Sequence, residues 1–164
     1  MNGQLSSEVS IETLQPIRVA CYRAASVSPE EDGWKYISEW WRKQSAGAPG
    51  QRFGFDVDVT PEQQKGGLRG YEVWLTVPPG VQPSAGVTIC DFAGGLYAVQ
   101  TLYDPFVDPF ARIPAGWKAS LHEWVIGSSQ YRSGEHQWLE ELVPGLTGNG
   151  RDDLKLYHPI QMGG

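Results

Sequence analysis

The sequence has 164 residues, of which 40% are hydrophobic and 20% charged, values that suit one globular domain with a substantial core. Its net charge of −6 argues against a nucleic-acid backbone as partner, because such binding needs clustered Lys and Arg. No apolar run approaches the ~20 residues of a membrane span, and the first residues lack a signal segment, which predicts a soluble cytoplasmic protein.

Alternating and apolar stretches predict strands along the chain, preceded by a flexible tail at 1–8. The first strand is interrupted at Pro16, the polar segment 60–69 reads as a hairpin loop, and Gly94-Gly95 bends the second half. In chain order the predicted strands are 9–14 with 17–23, then 53–59, 70–77, 87–92, 96–103, 138–143 and 154–160.

Two helices are predicted between these strands. The first runs from Ser28 to about Gln44, since Ser28 can cap it, Pro29 suits its first position and Glu31 completes a capping box. The second runs from about 114 to 126. The residues predicted to face inward are Trp34, Ile37 and Trp41 in the first helix, and Trp117, Leu121 and Trp124 in the second.

The two halves of the chain share a sequence pattern that indicates an internal duplication. Trp34, Lys35 and Trp41 recur 83 positions later as Trp117, Lys118 and Trp124. Each half reads strand, helix, strand, strand, which predicts a pseudo-symmetric α+β protein with antiparallel sheets carrying one long helix each. The repeats are placed at about 9–80 and 85–161 within a single domain of residues 9–164, and a ligand cleft is expected between the halves.

Aromatic and cysteine content bear on the kind of site. Seven Trp, seven Tyr and five Phe exceed what a small core needs, which indicates that some rings line a pocket for a flat ligand. Cys21 and Cys90 belong to no CxxC motif or Cys/His cluster, so the sequence predicts no metal site and no cofactor. We expect free buried thiols, while a disulfide stays open.

Glu72 is the leading candidate for a functional residue. It lies in an otherwise apolar strand, where alternation places Glu72, Trp74 and Thr76 on one face. If Trp74 lines a pocket, Glu72 lines it too, and a buried carboxylate needs a cationic partner that a ligand could supply. The alternative is that Glu72 faces water on the exposed side of the sheet.

Other residues are candidates for the same pocket. His158 aligns with Glu72 in the second half and is either an ion-pair partner, a proton donor or a structural histidine. The carboxylates Glu140 and Glu141 could form an acid/base pair, although solvated faces are commoner. The aromatic candidates, each with core packing or exposure as its alternative, are Tyr36, Trp40, Phe55, Trp74, Tyr97, Tyr103 and Trp138.

Several segments together resemble the GyrI-like family, also called AraC-type effector-binding domains. The matching segments, which cover about residues 8 to 161, are 11–20, Phe53-Gly54-Phe55, Tyr71-Glu72-Val73-Trp74, 94–99 and 138–141. The resemblance implies a tandem pair of SH2-like modules that bind bulky, often cationic and aromatic, molecules, with Glu72 matching the family's pocket glutamate. It also implies a stand-alone member, since no DNA-binding domain precedes the matching region.

Three functions follow from this resemblance as alternatives. The first is capture of hydrophobic cations by a pocket floored by Glu72. The second is an enzyme, a hydrolase of reactive cyclopropane compounds in which Glu72 activates water. The third is a protein-interaction role as a DNA gyrase modulator, with gyrase as the protein partner.

Overall fold

The structure is a computed structural model that describes residues 4–146 and 148–163. The chain divides into two compact units, of which unit A is Pro16–Ala93 and unit B combines Met1–Gln15 with Gly94–Gly164. Both units contain antiparallel strand pairs and helices, which confirms the predicted α+β class. Within the described ranges, no helix combines the length and apolar character that crossing a membrane requires.

Within the described residues, the two units contain nine strands and four α-helices. The strands are β1 (Ser10–Leu14), β2 (Ile17–Ser26), β3 (Arg52–Val57), β4 (Arg69–Thr76), β5 (Thr88–Phe92), β6 (Gly95–Leu102), β7 (Tyr131–Ser133), β8 (Leu139–Pro144) and β9 (Asp152–Met162). The helices are α1 (Pro29–Gln44), α2 (Pro61–Lys65), α3 (Pro109–Ala115) and α4 (Glu123–Ile126), with a 3₁₀ turn at Pro105–Val107 and a π-helical segment at Gly116–His122.

Unit A is a four-stranded antiparallel sheet in the order β3-β4-β2-β5, and α1 packs on one of its faces. Ile37 and Trp41 are buried there against Val73 and Leu75, as the helical spacing predicts. Burial of these side chains stabilises the layer by roughly 1.5–3 kcal/mol each. The opposite face of this sheet, which we call the helix-free face of unit A, carries the side chains that alternate with the core.

The start of α1 differs from the prediction. Pro29 occupies the first turn, but the Ser28 side chain makes no capping hydrogen bond, so the predicted capping box with Glu31 is wrong. The Ser26 hydroxyl instead links the segment before the helix to its first turns, because it donates to Asp32 Oδ2 at 2.6 Å and accepts from the Ser28 backbone N–H at 3.2 Å.

A capping box does form at α2, inside the segment predicted as a hairpin loop. Thr60 Oγ1 accepts from the backbone N–H of Gln63, and the Gln63 side chain accepts from the backbone N–H of Thr60. These reciprocal bonds satisfy two backbone donors and allow a helix of only five residues.

Unit B has the strand order β1-β6-β9-β8, with β7 also paired to β9. Its helical stretch covers one face of the sheet, where Leu121 and Val125 pack against Leu154 and Leu156. The two units therefore have corresponding strand orders, as a duplicated half would, and the internal repeat itself stays a prediction.

The segment predicted as one interrupted first strand is two strands with different partners. Strand β1 pairs with β6 in unit B, whereas β2 pairs with β4 and β5 in unit A. The compact units consequently differ from the predicted repeat bounds. Within the predicted tail, residues 1–3 lie outside the described residues, while Ser7 donates to the Thr101 carbonyl and Leu5 accepts from the Tyr103 N–H.

The second helix begins at Pro109 rather than at Pro114, and Pro114 lies inside it. Proline lacks a backbone N–H and disturbs the regular ladder, and a π-helical segment follows directly. Because a π turn contains more residues than an α turn, it rotates the later side chains around the axis. Trp124, predicted to face inward, is therefore 38% exposed, while Val125 is buried.

Candidate functional site

Strand β4 divides its side chains between the two faces of unit A, as the alternating pattern predicts. Tyr71 and Val73 pack in the core with α1. Glu72 and Trp74 point to the helix-free face, where their cross-strand partners are Phe55 and Cys21, respectively. The sequence therefore predicted correctly that Glu72 and Trp74 share a face.

Aromatic rings cover the helix-free face around Trp74. The Trp74 ring contacts Phe55 edge-on at a centroid distance of 5.1 Å, and Phe92 in a tilted arrangement at 5.1 Å. Phe53, opposite Trp74 on β3, is fully buried. Such ring pairs contribute about 0.5–1.5 kcal/mol beyond their buried area, so Trp74 is held in a defined position.

Glu72 is fixed at the edge of this aromatic surface by two neighbours. Its Oε1 accepts two hydrogen bonds from Arg23, at 3.1 Å from Nε and 2.9 Å from Nη2. Its Oε2 accepts from the indole Nε1 of Trp74 at 2.7 Å. The Glu72 side chain is 15% exposed and that of Arg23 is 61% exposed, so an accessible cation balances a mostly buried carboxylate.

Arg23 is a site residue that sequence reasoning missed. It lies directly opposite Glu72 in the β2–β4 register. The sequence alone does not say which strand neighbours β4, and the only available signal is that Arg23 interrupts an apolar stretch of β2.

Unit B carries a second carboxylate among aromatic rings, on the face of its sheet away from the helical stretch. Glu141 is 5% exposed and accepts a hydrogen bond from the Tyr157 hydroxyl at 2.5 Å. The Tyr97 ring stands perpendicular to that of Tyr157 at 5.5 Å. Burial raises the pKa of both phenols well above the usual range, and Glu141 adds to the shift at Tyr157.

The buried position of Glu141 was also missed from the sequence, where a solvated strand face was the commoner expectation for both Glu140 and Glu141. Because the two are adjacent on β8, they point to opposite faces. Glu140 accepts from the Trp117 indole at 3.1 Å on the helical side, and Glu141 meets Tyr157 on the other. The signal was the alternation itself, which puts one of two neighbouring glutamates on each face.

The remaining aromatic candidates lie elsewhere. Trp40, a residue of α1, is buried in the core and donates to Ser84 Oγ at 2.9 Å. Tyr36 is on the helical side of the sheet, stacked on Tyr22 with centroids 4.1 Å apart. Trp138 packs edge-on against Trp117, and Tyr103 directly follows β6. Among the candidates within unit A, Phe55 and Trp74 therefore lie on the same sheet face as Glu72, whereas Tyr36 and Trp40 lie on the helical side.

His158 lies on the helical side of the unit B sheet, paired with a second histidine. His122 Nδ1 and His158 Nε2 are 3.2 Å apart, and the rings stack at 5.5 Å. Burial lowers the pKa of His158 below its usual range, and the neighbouring His122 acts in the same direction. The alignment of the two halves paired His158 with Glu72. In the structure His158 lies on the helical face of the unit B sheet, whereas Glu72 lies on the helix-free face of unit A.

The His158 environment predicts a pH-dependent stability. An unfolded His titrates near pH 6.5, and the folded chain takes up this proton only at lower pH. The free energy of unfolding should therefore reach its full value above about pH 6.5 and should decrease as the pH falls below that value. Urea denaturation across this range should show the loss in wild type and in His136→Gln but a weaker loss in His158→Gln. An unchanged dependence in His158→Gln would exclude His158 as the titrating group.

A separate depression of about 490 Å³ lies at the β3–β4 hairpin, lined in part by Asp56, Asp58, Gln64 and Arg69. Its lining includes no aromatic ring from the part of the chain that the structure describes, so these residues offer no stacking surface. We therefore place the candidate site at Glu72 and Trp74.

The fold recurs in solved structures, while no protein-family profile and no curated protein sequence matches the chain. EcmrR in a complex with DNA has a TM-score of 0.70 at 11% identity over 96% of this chain, which spans only 58% of that chain. SAV2435 bound to tetraphenylphosphonium has a TM-score of 0.52 at 10% identity over 94% of both chains. A hydrolase from Listeria innocua has a TM-score of 0.57 at 10% identity over 94% of this chain and 92% of that one. The chain therefore shares its fold with these proteins, in agreement with the α+β fold that its resemblance to the GyrI-like family implied.

Proposed function

We propose that this chain binds bulky aromatic cations on the helix-free face of unit A, with Glu72 as their counter-charge. The observation that carries the proposal is the asymmetry of the Glu72–Arg23 pair, in which the carboxylate is 15% exposed and the guanidinium 61% exposed. An ion pair with so exposed a partner contributes about 0–1 kcal/mol. A ligand cation can therefore displace Arg23 at little cost.

The rings beside Glu72 suit the aromatic part of such a ligand. Phe55 and Phe92 flank Trp74, and the Trp74 indole holds the Glu72 carboxylate next to the ring surface. A cation near these rings gains roughly 0.5–2 kcal/mol from each suitable face. SAV2435, which has the same fold, is a protein bound to tetraphenylphosphonium, a cation of this class.

The ligand contacts Glu72, Trp74 and Phe55 in unit A in this mode of binding. In unit B, Tyr97 belongs with Tyr157 and Glu141 to a second aromatic surface with a carboxylate, which could take part in binding. The side chains packed on the helical faces, Trp40 and Trp138 among them, have a structural role in this proposal.

Glu72→Gln is expected to weaken the binding of tetraphenylphosphonium about tenfold, or about 1.4 kcal/mol. The amide keeps the shape of the side chain but removes the charge that attracts the cation. Affinity for triphenylphosphine oxide, a neutral compound of similar shape, should change less than about twofold. Isothermal titration calorimetry with both compounds measures the difference.

Two further variants sharpen this test. Arg23→Ala removes the competing cation and is expected to tighten tetraphenylphosphonium binding. Glu30→Gln makes the same charge change at an exposed residue paired with Arg69, so its affinities should match those of wild type. Equal weakening of the cation and the neutral compound by Glu72→Gln would refute the electrostatic role of Glu72.

Hydrolysis of an electrophilic aromatic compound is the second candidate function, and the Glu141–Tyr157 pair favours it. A buried carboxylate next to a phenol combines a proton acceptor with a proton donor. Both Glu72 oxygens already accept hydrogen bonds, Oε1 from Arg23 and Oε2 from Trp74. Product formation from a cyclopropane-bearing alkylator, lost in Glu141→Gln but kept in Glu72→Gln, would support this function.

A further inference from the structure

The two cysteines of the chain lie side by side on the helix-free face of unit A. Cys21 on β2 is opposite Thr88, and Cys90 on β5 is opposite Val19, so the cysteines form a diagonal pair on neighbouring strands. Cys21 Sγ is directed at the Val19 carbonyl at 3.9 Å, and Cys90 Sγ lies 4.0 Å from Thr88 Oγ1. The Cys21 thiol therefore points toward Val19, which is opposite Cys90. The Cys90 thiol points toward Thr88, which is opposite Cys21.

Both thiols are free, and they differ in access. Cys21 is buried and Cys90 is exposed. Burial raises the pKa of the Cys21 thiol well above its usual range, and the adjoining Cys90 thiol raises it further. A reagent from solution consequently meets Cys90 first, with the buried Cys21 thiol beside it on the neighbouring strand.

The spacing of a diagonal pair is poorly suited to a direct disulfide. Diagonal residues on antiparallel strands have Cα atoms about 7–8 Å apart, whereas a disulfide requires about 4.4–6.8 Å. A bridge that inserts one further atom between the two sulfurs spans the longer distance without movement of the strands.

We propose that Cys21 and Cys90 form a dithiol site for trivalent aryl arsenicals. Trivalent arsenic that keeps one aryl group requires two protein thiols, which is the number that this face supplies. Among residues 4–146 and 148–163, no three His, Cys, Asp or Glu side chains are grouped to hold a metal ion. The aryl group has an aromatic surface at hand, because Trp74 is opposite Cys21 on β4 and contacts Phe92 of β5.

The reaction is a condensation with no change of oxidation state. An aryl arsine oxide and two thiols give an aryl dithioarsenite and one water, so that two As–S bonds replace the As=O bond and both thiol protons leave in the water. The exposed Cys90 forms the first As–S bond. Closure onto Cys21 is then intramolecular, which favours it over reaction with a free thiol. Glu72 forms no bond in this reaction, and its charge only adds to the raised pKa of the Cys21 thiol. Formation of the two As–S bonds therefore does not require the proposed cation binding.

The test uses phenylarsine oxide with the intact chain in excess 2-mercaptoethanol, followed by mass spectrometry under native conditions and a count of free thiols. Wild type should retain one phenylarsenic group per chain and lose both titratable thiols. Cys90→Ser and Cys21→Ala should each retain about tenfold less, because a monothiol adduct exchanges with the competing thiol. Glu72→Gln should retain as much as wild type, which separates this site from the cation site.

Cys90→Ser changes an exposed edge residue and should keep the melting curve of wild type, so it decides the test even if Cys21→Ala fails to fold. Retention by Cys90→Ser equal to that of wild type would overturn the proposal. Complete removal of the arsenical from wild type by 2-mercaptoethanol would overturn it as well.

Discussion

Trp74→Ala is expected to lower the free energy of unfolding by about 3–5 kcal/mol, the usual cost of deleting a buried aromatic side chain. Trp74 is 8% exposed and contacts both Phe55 and Phe92, so its removal leaves a cavity between two rings. The same change removes the indole donor of Glu72. Urea denaturation followed by far-UV circular dichroism measures the stability, and calorimetry measures the loss of tetraphenylphosphonium binding.

Trp74→Phe is the matched control for this prediction. It keeps a ring between Phe55 and Phe92 but has no N–H for Glu72, and a lost hydrogen bond to a charged group costs about 1.5–3 kcal/mol. The stability of Trp74→Phe should therefore lie between those of wild type and Trp74→Ala. If Trp74→Ala were as stable as wild type, the helix-free face would not be the packed aromatic surface that the proposed site requires.

Local patterns predicted which side chains of unit A share one face of a strand or helix. Period-two alternation placed Glu72 and Trp74 on one face of β4 and Val73 on the other, as observed. Helical spacing placed Ile37 and Trp41 toward the core. These predictions held because the faces of a strand or helix follow from its own residues, whatever its neighbours are.

Features that depend on the pairing of distant strands were not predictable in the same way. Arg23 and Glu72 are 49 positions apart in sequence, and only the β2–β4 register brings them together. The same holds for Cys21 and Cys90, which meet because β5 pairs with β2. Nothing in either strand's own composition names its partner.

The predicted pairing of Glu72 with His158 joins residues on different kinds of sheet face. A shift of one residue in such an alignment is enough to reverse the face of a strand. His158 consequently lies with His122 on the helical side, while Tyr157 lies with Glu141 on the other. The π-helical segment has a comparable effect on Trp124, since it shifts the buried positions along the helix.

Gly54→Ala is expected to lower the free energy of unfolding by about 2–3 kcal/mol, in the range for overpacked cores. A Cβ at Gly54 would lie 2.5 Å from Cε1 and 2.6 Å from Cζ of Tyr71, far inside van der Waals contact. Tyr71 is 4% exposed beneath α1 and has little room to move away. Equilibrium urea denaturation of the variant measures the effect.

A double-mutant cycle shows whether the Tyr71 ring is the cause. Tyr71→Leu removes the atoms that the new methyl group would meet, so Gly54→Ala should cost less than about 1 kcal/mol in that background. Gly66→Ala serves as a control in the same unit, because its nearest neighbour would be the Gln63 carbonyl oxygen at 3.4 Å, an ordinary contact. An equal cost of Gly54→Ala with and without the Tyr71 ring would show that the glycine is needed for the β3 backbone. A cost that disappears with the ring would show that Gly54 makes room for Tyr71 in the core, so that Glu72 and Trp74 keep their places on the opposite face of β4.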